Sequence, residues 1–464
     1  MQKNSLSLCM IVKDAEDTVG RAIKSALAVV DEVVVVDTGS TDNTRLIVEG
    51  YGARVIDHHW NDDFSAARNT GLGAAYGDWI LILDADEVLE SIRPVEIGRL
   101  LADENSIAYY ARIRNESSGR ATTVYDKVRL FRNHPDIRYR YPIHEQVTPS
   151  IAQVAQRMGG EFLPSPLSIV HYGSVDRDEK GKKSRNQRLL HRAIDQYPDE
   201  PYFRYQLACE LTVGLEDQVL PVKGFGKMLG ELGAAVEQVR GFEARKLAHL
   251  GYGPDLYARL AAAQLAAGRP LEALETCAEG LDRFGEGSLL RFTQGRALLA
   301  TAEVSEGERA HECRAAGAAR MHLMLERDAN LEPAPISDAY FNVYPHRYLG
   351  EASLAAGDVE RARDHFRQAL GNDPDYTGAL CGLASIARTE GRVKDALQVY
   401  LKALSLNDTE VDAWIGGAEV LVGLGFDDNA RSWLLKLEAF VPEDPRIRDL
   451  LDRMEPAGMG AETA

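Results

Sequence analysis

Trp79-Ile80-Leu81-Ile82-Leu83 runs directly into Asp84-Ala85-Asp86-Glu87. Five consecutive apolar residues drive a strand into a core, and the carboxylates then emerge together at its end. Working outward, the same pattern repeats. Ser5 to Val12 reads as a strand, and Val19, Ala22, Ile23, Ala26 and Leu27 fall at helical spacing. Val33-Val34-Val35-Val36 is a β-branched run that ends in Asp37, and Thr44 to Tyr51 reads as a helix. Arg54 to Asp57 is a third strand and Ser65 to Ala75 a further helix. Strand and helix in alternation predict an α/β unit with a buried parallel sheet. Ile107–Arg114 and Lys127–Arg132 read as further strands at a mixed edge of that sheet.

The second half reads differently. From about Lys182 onward nearly everything is helical. Gly357, Ala362, Phe366, Ala369 and Pro374 recur 34 residues later as Gly391, Ala396, Tyr400, Ala403 and Asp408. They recur again at the same step as Gly425, Ala430, Leu434, Leu437 and Pro442. A fixed period of this length marks stacked helix pairs. A further copy starts near Asp255, with Gly268, Ala273, Cys277 and Gly280, and Arg185–Pro198 with Tyr202–Gly214 reads as a degenerate one. Leu289 to Asn330 breaks the period and reads as longer helices.

Composition bounds the function. The chain has 464 residues, which at about 150 residues per domain allows two or three domains. With 53 Lys and Arg against 71 Asp and Glu, the net charge is -18, which disfavours a general nucleic-acid binder. Apolar stretches fall far short of the roughly 18 residues needed for a transmembrane helix. Leu8 to Val12 is too short for the hydrophobic region of a signal peptide. Five scattered cysteines with no zinc-type spacing fit a reducing cytoplasm.

Two acidic clusters carry chemistry. Asp37-Thr38-Gly39-Ser40-Thr41-Asp42 follows the second strand, where open α/β sheets bind ligands. Its polar residues can cap the next helix and leave amides for a diphosphate. Asp84 and Asp86, one residue apart, can hold a hard divalent cation. The two clusters read as neighbouring strand ends. Gly71 to Gly77 has the wrong spacing for a dinucleotide loop and follows a helix.

The combination resembles the family 2 glycosyltransferases of GT-A fold. The stretches that carry the resemblance are Leu8–Asp14, Val36–Thr44, Asp63–Asn69 and Gly77–Glu87. With the repeat tail, the chain resembles bacterial glycosyltransferases that carry tetratricopeptide repeats, including some peptide S-glycosyltransferases. The expected organisation is a GT-A domain over residues 1–175, a helical connector over 176–254 and a tetratricopeptide-repeat domain over 255–464. The resemblance implies a nucleotide-sugar donor, a UDP-sugar first, and Mn²⁺ or Mg²⁺ as cofactor. Asp37 would contact the base, with Lys13, Asp14, Asp42, Asn69 and Ala85 among the donor contacts. Asp84 and Asp86 match the DXD element of the family, and His171 could complete the metal shell. Arg68 either contacts the nucleotide or diphosphate or pairs with Asp62 or Asp63. Glu145 is the first candidate base and His144 the second, unless Glu145 pairs with Arg138 or Arg140. An inverting transfer to a protein or peptide held by the repeats is the expected activity. Assembly of a cell-envelope polysaccharide or lipopolysaccharide is the alternative, and a non-catalytic repeat adaptor is a third. The tail is also compatible with a homodimer.

Overall fold

The computed structural model describes residues 4–116, 123–172, 179–212, 214–215, 218–219, 224–247, 250–285, 287–327, 336–442 and 444–454. They fall into two compact units. The first holds β1 (Leu6–Val12), α1 (Val19–Ala26), β2 (Glu32–Asp37), α2 (Thr44–Gly50), β3 (Arg54–Asp57), α3 (Phe64–Ala74) and β4 (Trp79–Ile82). It continues with β5 (Glu87–Leu89), α4 (Pro94–Ala102), β6 (Ser106–Asn115), β7 (Thr123–Arg132), α5 (Thr148–Met158), β8 (Glu161–His171) and α6 (Glu179–Gln196).

The strand order is β3-β2-β1-β4-β7-β6-β8-β5, and Ile336–Ser337 adds to β7. β1 to β4 are parallel, as their continuous apolar runs require. Leu6, Leu8, Met10 and Val12 enter one core with Val19, Ala22, Ile23 and Ala26 of α1. Cys9 points to the opposite core with Val34, Ile80 and Ile82. The sheet is mixed, as expected, but β6 and β7 lie inside it rather than at an edge. β7 pairs antiparallel with both β4 and β6. β8 was hidden in the sequence by Pro164 and Pro166, which cannot donate to a ladder, and its pairing with β6 shifts register there.

The first unit runs through Pro198 and includes α6. Arg188 of α6 forms two bonds to Asp62, at 2.7 and 2.9 Å. Pro201–Leu211 packs chiefly on Phe225–Arg240.

The second unit follows the repeat. Tyr344–Ala355 packs on Val359–Asn372, Thr377–Thr389 on Val393–Leu406, and Val411–Gly423 on Asp427–Phe440. Gly357, Gly391 and Gly425 turn each pair at φ of 81°, 79° and 78°, the left-handed region that glycine tolerates. Every repeated small or large position is buried: Ala362, Phe366 and Ala369; Ala396, Tyr400 and Ala403; Ala430, Leu434 and Leu437. The earlier copy also holds, with Gly253–Ala266 on Pro270–Phe284 and Ala273 and Cys277 buried. The stretch that broke the period forms long helices, Ser288–Glu303 and Gly307–Leu325.

Glycine has two different jobs here. A Cβ on Gly350 would lie 2.6 Å from the Phe366 ring, whereas one on exposed Gly230 meets nothing within 4 Å. Gly350→Ala is expected to destabilise the protein by about 1–3 kcal/mol through overpacking. Gly230→Ala, inside Phe225–Arg240, is expected to stabilise it by about 0.5–1 kcal/mol. Urea unfolding of the second unit's helices, followed by circular dichroism, checks both signs.

Candidate active site

The loops after β1 and β2 are clamped together. Asp37 ends β2 buried, and its Oδ1 accepts from the Gly39 and Ser40 amides at 3.0 and 2.8 Å. Asp14 Oδ1 accepts from the Thr41 amide at 2.7 Å, and the Asp14 amide donates to Ser40 Oγ at 3.0 Å. Asp42 accepts from the Glu16 and Thr44 amides at 3.1 and 2.9 Å. These bonds outweigh burial and hold its carboxyl below the ordinary value. A Cβ on Gly39 would lie 4.0 Å from Lys13 Nζ, so that exposed ammonium sits over the turn. Lys13, Asp14, Asp37 and Asp42 thus share one locus. α2 starts at Thr44; Asn43 before it makes no side-chain cap bond, and Asp42 takes the Thr44 amide.

The second locus joins α3, the end of β4 and the segment before α5. Arg68 Nη2 reaches Asp84 Oδ1 at 2.7 Å, and Arg68 Nε reaches Glu145 Oε1 at 2.5 Å. Arg68 therefore pairs with neither Asp62 nor Asp63. Asp62 binds Arg188, and Asp63 caps α3 through the Ala66 amide. Glu145 likewise takes Arg68 rather than Arg138 or Arg140. Burial works against the Arg68 charge, but Asp84 and Glu145 more than offset it and raise its pKa well above normal. Burial also opposes ionisation of Asp84, yet Arg68 and Arg129 hold that carboxyl well below the usual range.

Arg129 escaped the sequence reading. It contacts Asp84 Oδ2 at 3.3 Å and makes a short bond to buried Glu87. Tyr109 pairs with Leu130 and Tyr110 with Val128, so Arg129 is the extra residue of a β-bulge. Bulges re-aim side chains beside functional sites. Lys127 stands two residues earlier on the same strand, and the Arg129 charge pushes its ammonium downward. The polar–apolar alternation Lys127-Val128-Arg129-Leu130 is the signal that could have marked this strand as a site wall.

Asn69 does not face the same point. Its amide group grips the Tyr139 backbone, donating to the carbonyl at 2.9 Å and accepting from the amide at 2.8 Å. His144 sits at φ 51° and Tyr141 at φ 79°. A left-handed non-glycine backbone is costly and tends to collect at functional sites. Ala85 packs against the core between the two aspartates.

The third locus is Asp86 with His171. β5 and β8 pair so that Glu87 faces His171, and the Tyr172 amide donates to the Asp86 carbonyl at 3.2 Å. His171 Nε2 lies 3.3 Å from Asp86 Oδ2, and its Nδ1 lies 2.9 Å from Asn115 Oδ1. The bond to Asp86 raises the His171 pKa. Among the described residues, no three His, Cys, Asp or Glu donors already surround one point. Asp84 is turned to its two arginines, and Asp86 to the histidine. One expectation about the sheet changes: β1 separates β2 from β4, so the two acidic clusters end strands two apart, about 10 Å by strand spacing.

Both parts of the chain are similar to known proteins. The family described as glycosyl transferase family 2 matches residues 7–153, and a tetratricopeptide repeat matches residues 348–411. A TPR repeat-containing protein of Synechococcus elongatus is 38% identical over 202 residues, covering 42% of this chain and 50% of that protein. An uncharacterized glycosyltransferase of Rickettsia felis is 38% identical over 106 residues, covering 23% of this chain and 37% of that protein. The succinoglycan biosynthesis protein ExoO of Rhizobium meliloti is 34% identical over 129 residues, covering 26% and 36%. The chain thus spans half or less of the length of these relatives. Residues 7–153, with their two strand-end acidic clusters, are a family 2 glycosyltransferase domain, followed in the same chain by tetratricopeptide repeats.

Proposed function

We propose that the chain is a metal-dependent, inverting glycosyltransferase that moves a sugar from a nucleotide-sugar, a UDP-sugar first, to a protein or peptide acceptor held by the repeats. The observation that carries it is the link from the Asp84–Asp86 turn to both His171 and, through Arg68, Glu145. Asp37, ending β2 with its own loop wrapped on it, is the base contact.

The residues present suit Mn²⁺ or Mg²⁺. Asp86 supplies oxygen and His171 an imidazole nitrogen oriented through its other nitrogen by Asn115, the usual outer support of a metal-bound histidine. Asp84 stands two positions before Asp86. Few protein ligands are needed, because such cations take the rest of their shell from phosphate and water. When bound, the cation would neutralise charge on the leaving diphosphate. The Arg68 and Arg129 guanidiniums add fixed positive charge beside it. Glu145 takes the proton from the acceptor hydroxyl or thiol. The acceptor's oxygen or sulfur bonds to the anomeric carbon as the bond to the diphosphate breaks. One base acting on one acceptor fits a single inverting displacement.

A second reading is favoured by the relative named for succinoglycan biosynthesis: a polysaccharide acceptor, with the repeats docking the enzyme to an assembly complex. A cytoplasmic site of action belongs to both readings. Among the described residues, no helix is long and apolar enough to cross a membrane.

Incubation of the purified chain with UDP-, GDP- and dTDP-sugars should release nucleoside diphosphate with Mn²⁺ and not with EDTA, and Asp86→Ala should abolish release. Release indifferent to EDTA and to Asp86→Ala would overturn metal dependence. With peptide and lipid-linked glycan acceptors offered in parallel, the acceptor that turns over decides between the two readings. Glu145→Gln is expected to lower kcat by about 10²–10⁴-fold, the usual worth of a general base, with little change in donor KM. A kcat within tenfold of the parent value would remove Glu145 as the base.

A further inference from the structure

We infer that Arg138, Arg140 and Arg157 line a binding site for a phosphate group, apart from the acidic clusters at the strand ends. Glu145 takes Arg68, so the candidate chemistry uses neither Arg138 nor Arg140. Ile137 and Tyr139 are buried, and Arg68 lies over the Tyr139 ring at 5.3 Å. Arg138 and Arg140 alternate with them along the segment. They line a groove of about 630 Å³ instead, with Asp136, Ser150, Gln153 and Arg157.

The walls of the groove are fixed. Ser150, Gln153 and Arg157 share one face of α5, while Ile151 and Val154 enter the core. The buried Ser150 hydroxyl accepts from the Arg138 amide at 3.0 Å and lies 2.8 Å from the Arg138 carbonyl. Two backbone bonds of 3.0 Å bridge Arg140 to Gln146 and close the loop that carries His144 and Glu145.

The charge in the groove is unbalanced. Among the described residues, Asp136 is the one carboxylate that lines it, and Arg157 Nη2 reaches Asp136 Oδ2 at 2.7 Å. Arg140 Nη2 meets the neutral Gln153 Oε1 at 3.3 Å, and Arg138 Nη1 the Ile137 carbonyl at 2.7 Å. Neither neutral partner cancels a charge, and each bond uses one of the five donors of a guanidinium. A chain of net charge -18 has carboxylates in excess, yet this groove stays positive. A carboxylate has two oxygens and serves one guanidinium fork. A phosphate group offers three or more oxygens and up to two charges, which several forks can share. The phosphate arrives free or on a phosphate ester such as an acceptor. An acceptor's phosphate would be held on the segment that also carries Glu145. That last step rests on the proposed transfer; the phosphate site does not.

The test is calorimetric titration of the full chain, in chloride buffer with EDTA, with inorganic phosphate and separately with glycerol 3-phosphate. It needs neither donor nor metal, so its failure is distinct from failure of the transfer reaction. Saturable binding of one equivalent is expected. Tighter binding of the ester means that the phosphate arrives on a larger molecule, and tighter binding of the inorganic ion that it arrives free. Arg140→Gln and Arg157→Gln, both at exposed positions, should each weaken binding by about tenfold or more, the loss of one charge-assisted bond. Asp86→Ala should leave binding unchanged. If Arg157→Gln fails to fold, Arg140→Gln alone decides. No saturable binding of either anion, binding unchanged in a folded arginine variant, or binding lost in Asp86→Ala would each overturn the proposal.

Discussion

The Arg68 guanidinium holds the candidate site together. It bonds to Asp84 and Glu145 at once, and its Cζ lies 5.3 Å from the centre of the Tyr139 ring. A buried guanidinium requires such partners, because removing one carboxylate leaves a charge with neither water nor counterion. Its neighbour on α3, Asn69, grips the backbone of Tyr139. The Phe64 amide at the start of α3 bonds to the Pro142 carbonyl at 2.9 Å. One helix thus places the end of β4 and the whole Tyr139–Glu145 segment. The left-handed backbone at Tyr141 and His144 persists because these anchors leave the chain no relaxed path between them.

The sheet supplies the other half of the arrangement. Parallel strands buried on both faces must shed their polar residues at their ends, so Asp37 and Asp84 emerge on the same side. The antiparallel strands then return charge to that side. Arg129 reaches Asp84 only because the bulge adds a residue to β7 beside β4. Its pair with Glu87 lies almost wholly out of solvent, with side-chain exposures of 4% and 3%. Burial raises the Glu87 pKa, while Arg129 works against that rise. The pair fixes the turn in which Asp84 and Asp86 stand, since Glu87 Oε2 also accepts the Asp84 amide at 2.9 Å.

What the sequence revealed follows the range of the interactions. The strands β1 to β4, α1 and α3 were legible because apolar runs and helical spacing are local. The acidic clusters were legible because they lie directly after such runs. Ion-pair partners were not. Arg68 finds Glu145 across 77 positions, whereas the sequence offered only the adjacent Asp62 and Asp63. Arg129 was missed for the same reason, since a bulge is a property of two strands. β8 was missed because its prolines erase the strand signal, although His171 at its end stood out by chemistry. The Arg188–Asp62 contact of α6 is again between distant residues, 126 positions apart.

The repeats were the most legible part, and the packing explains why their period survives. Each pair must close at a left-handed turn, and the first two place a large buried ring against backbone that carries no Cβ. Phe366 fills the space beside Gly350 and Gly382, and Tyr400 the space beside Gly416. In the third copy Leu434 takes that place, and Trp433 lies against Gly417 instead. Ring and glycine are separated by about one helix length, so neither can move along the sequence alone. A register shift in one helix would drive a ring into a backbone and open a cavity beside it, a cost of several kcal/mol on typical scales. The spacing is therefore a packing constraint. It fails between Ser288 and Leu325, where Gly295 and Gly317 meet Met321 and Leu299 rather than aromatic rings. Flexible aliphatic side chains fit many offsets, and there the helices are free to lengthen.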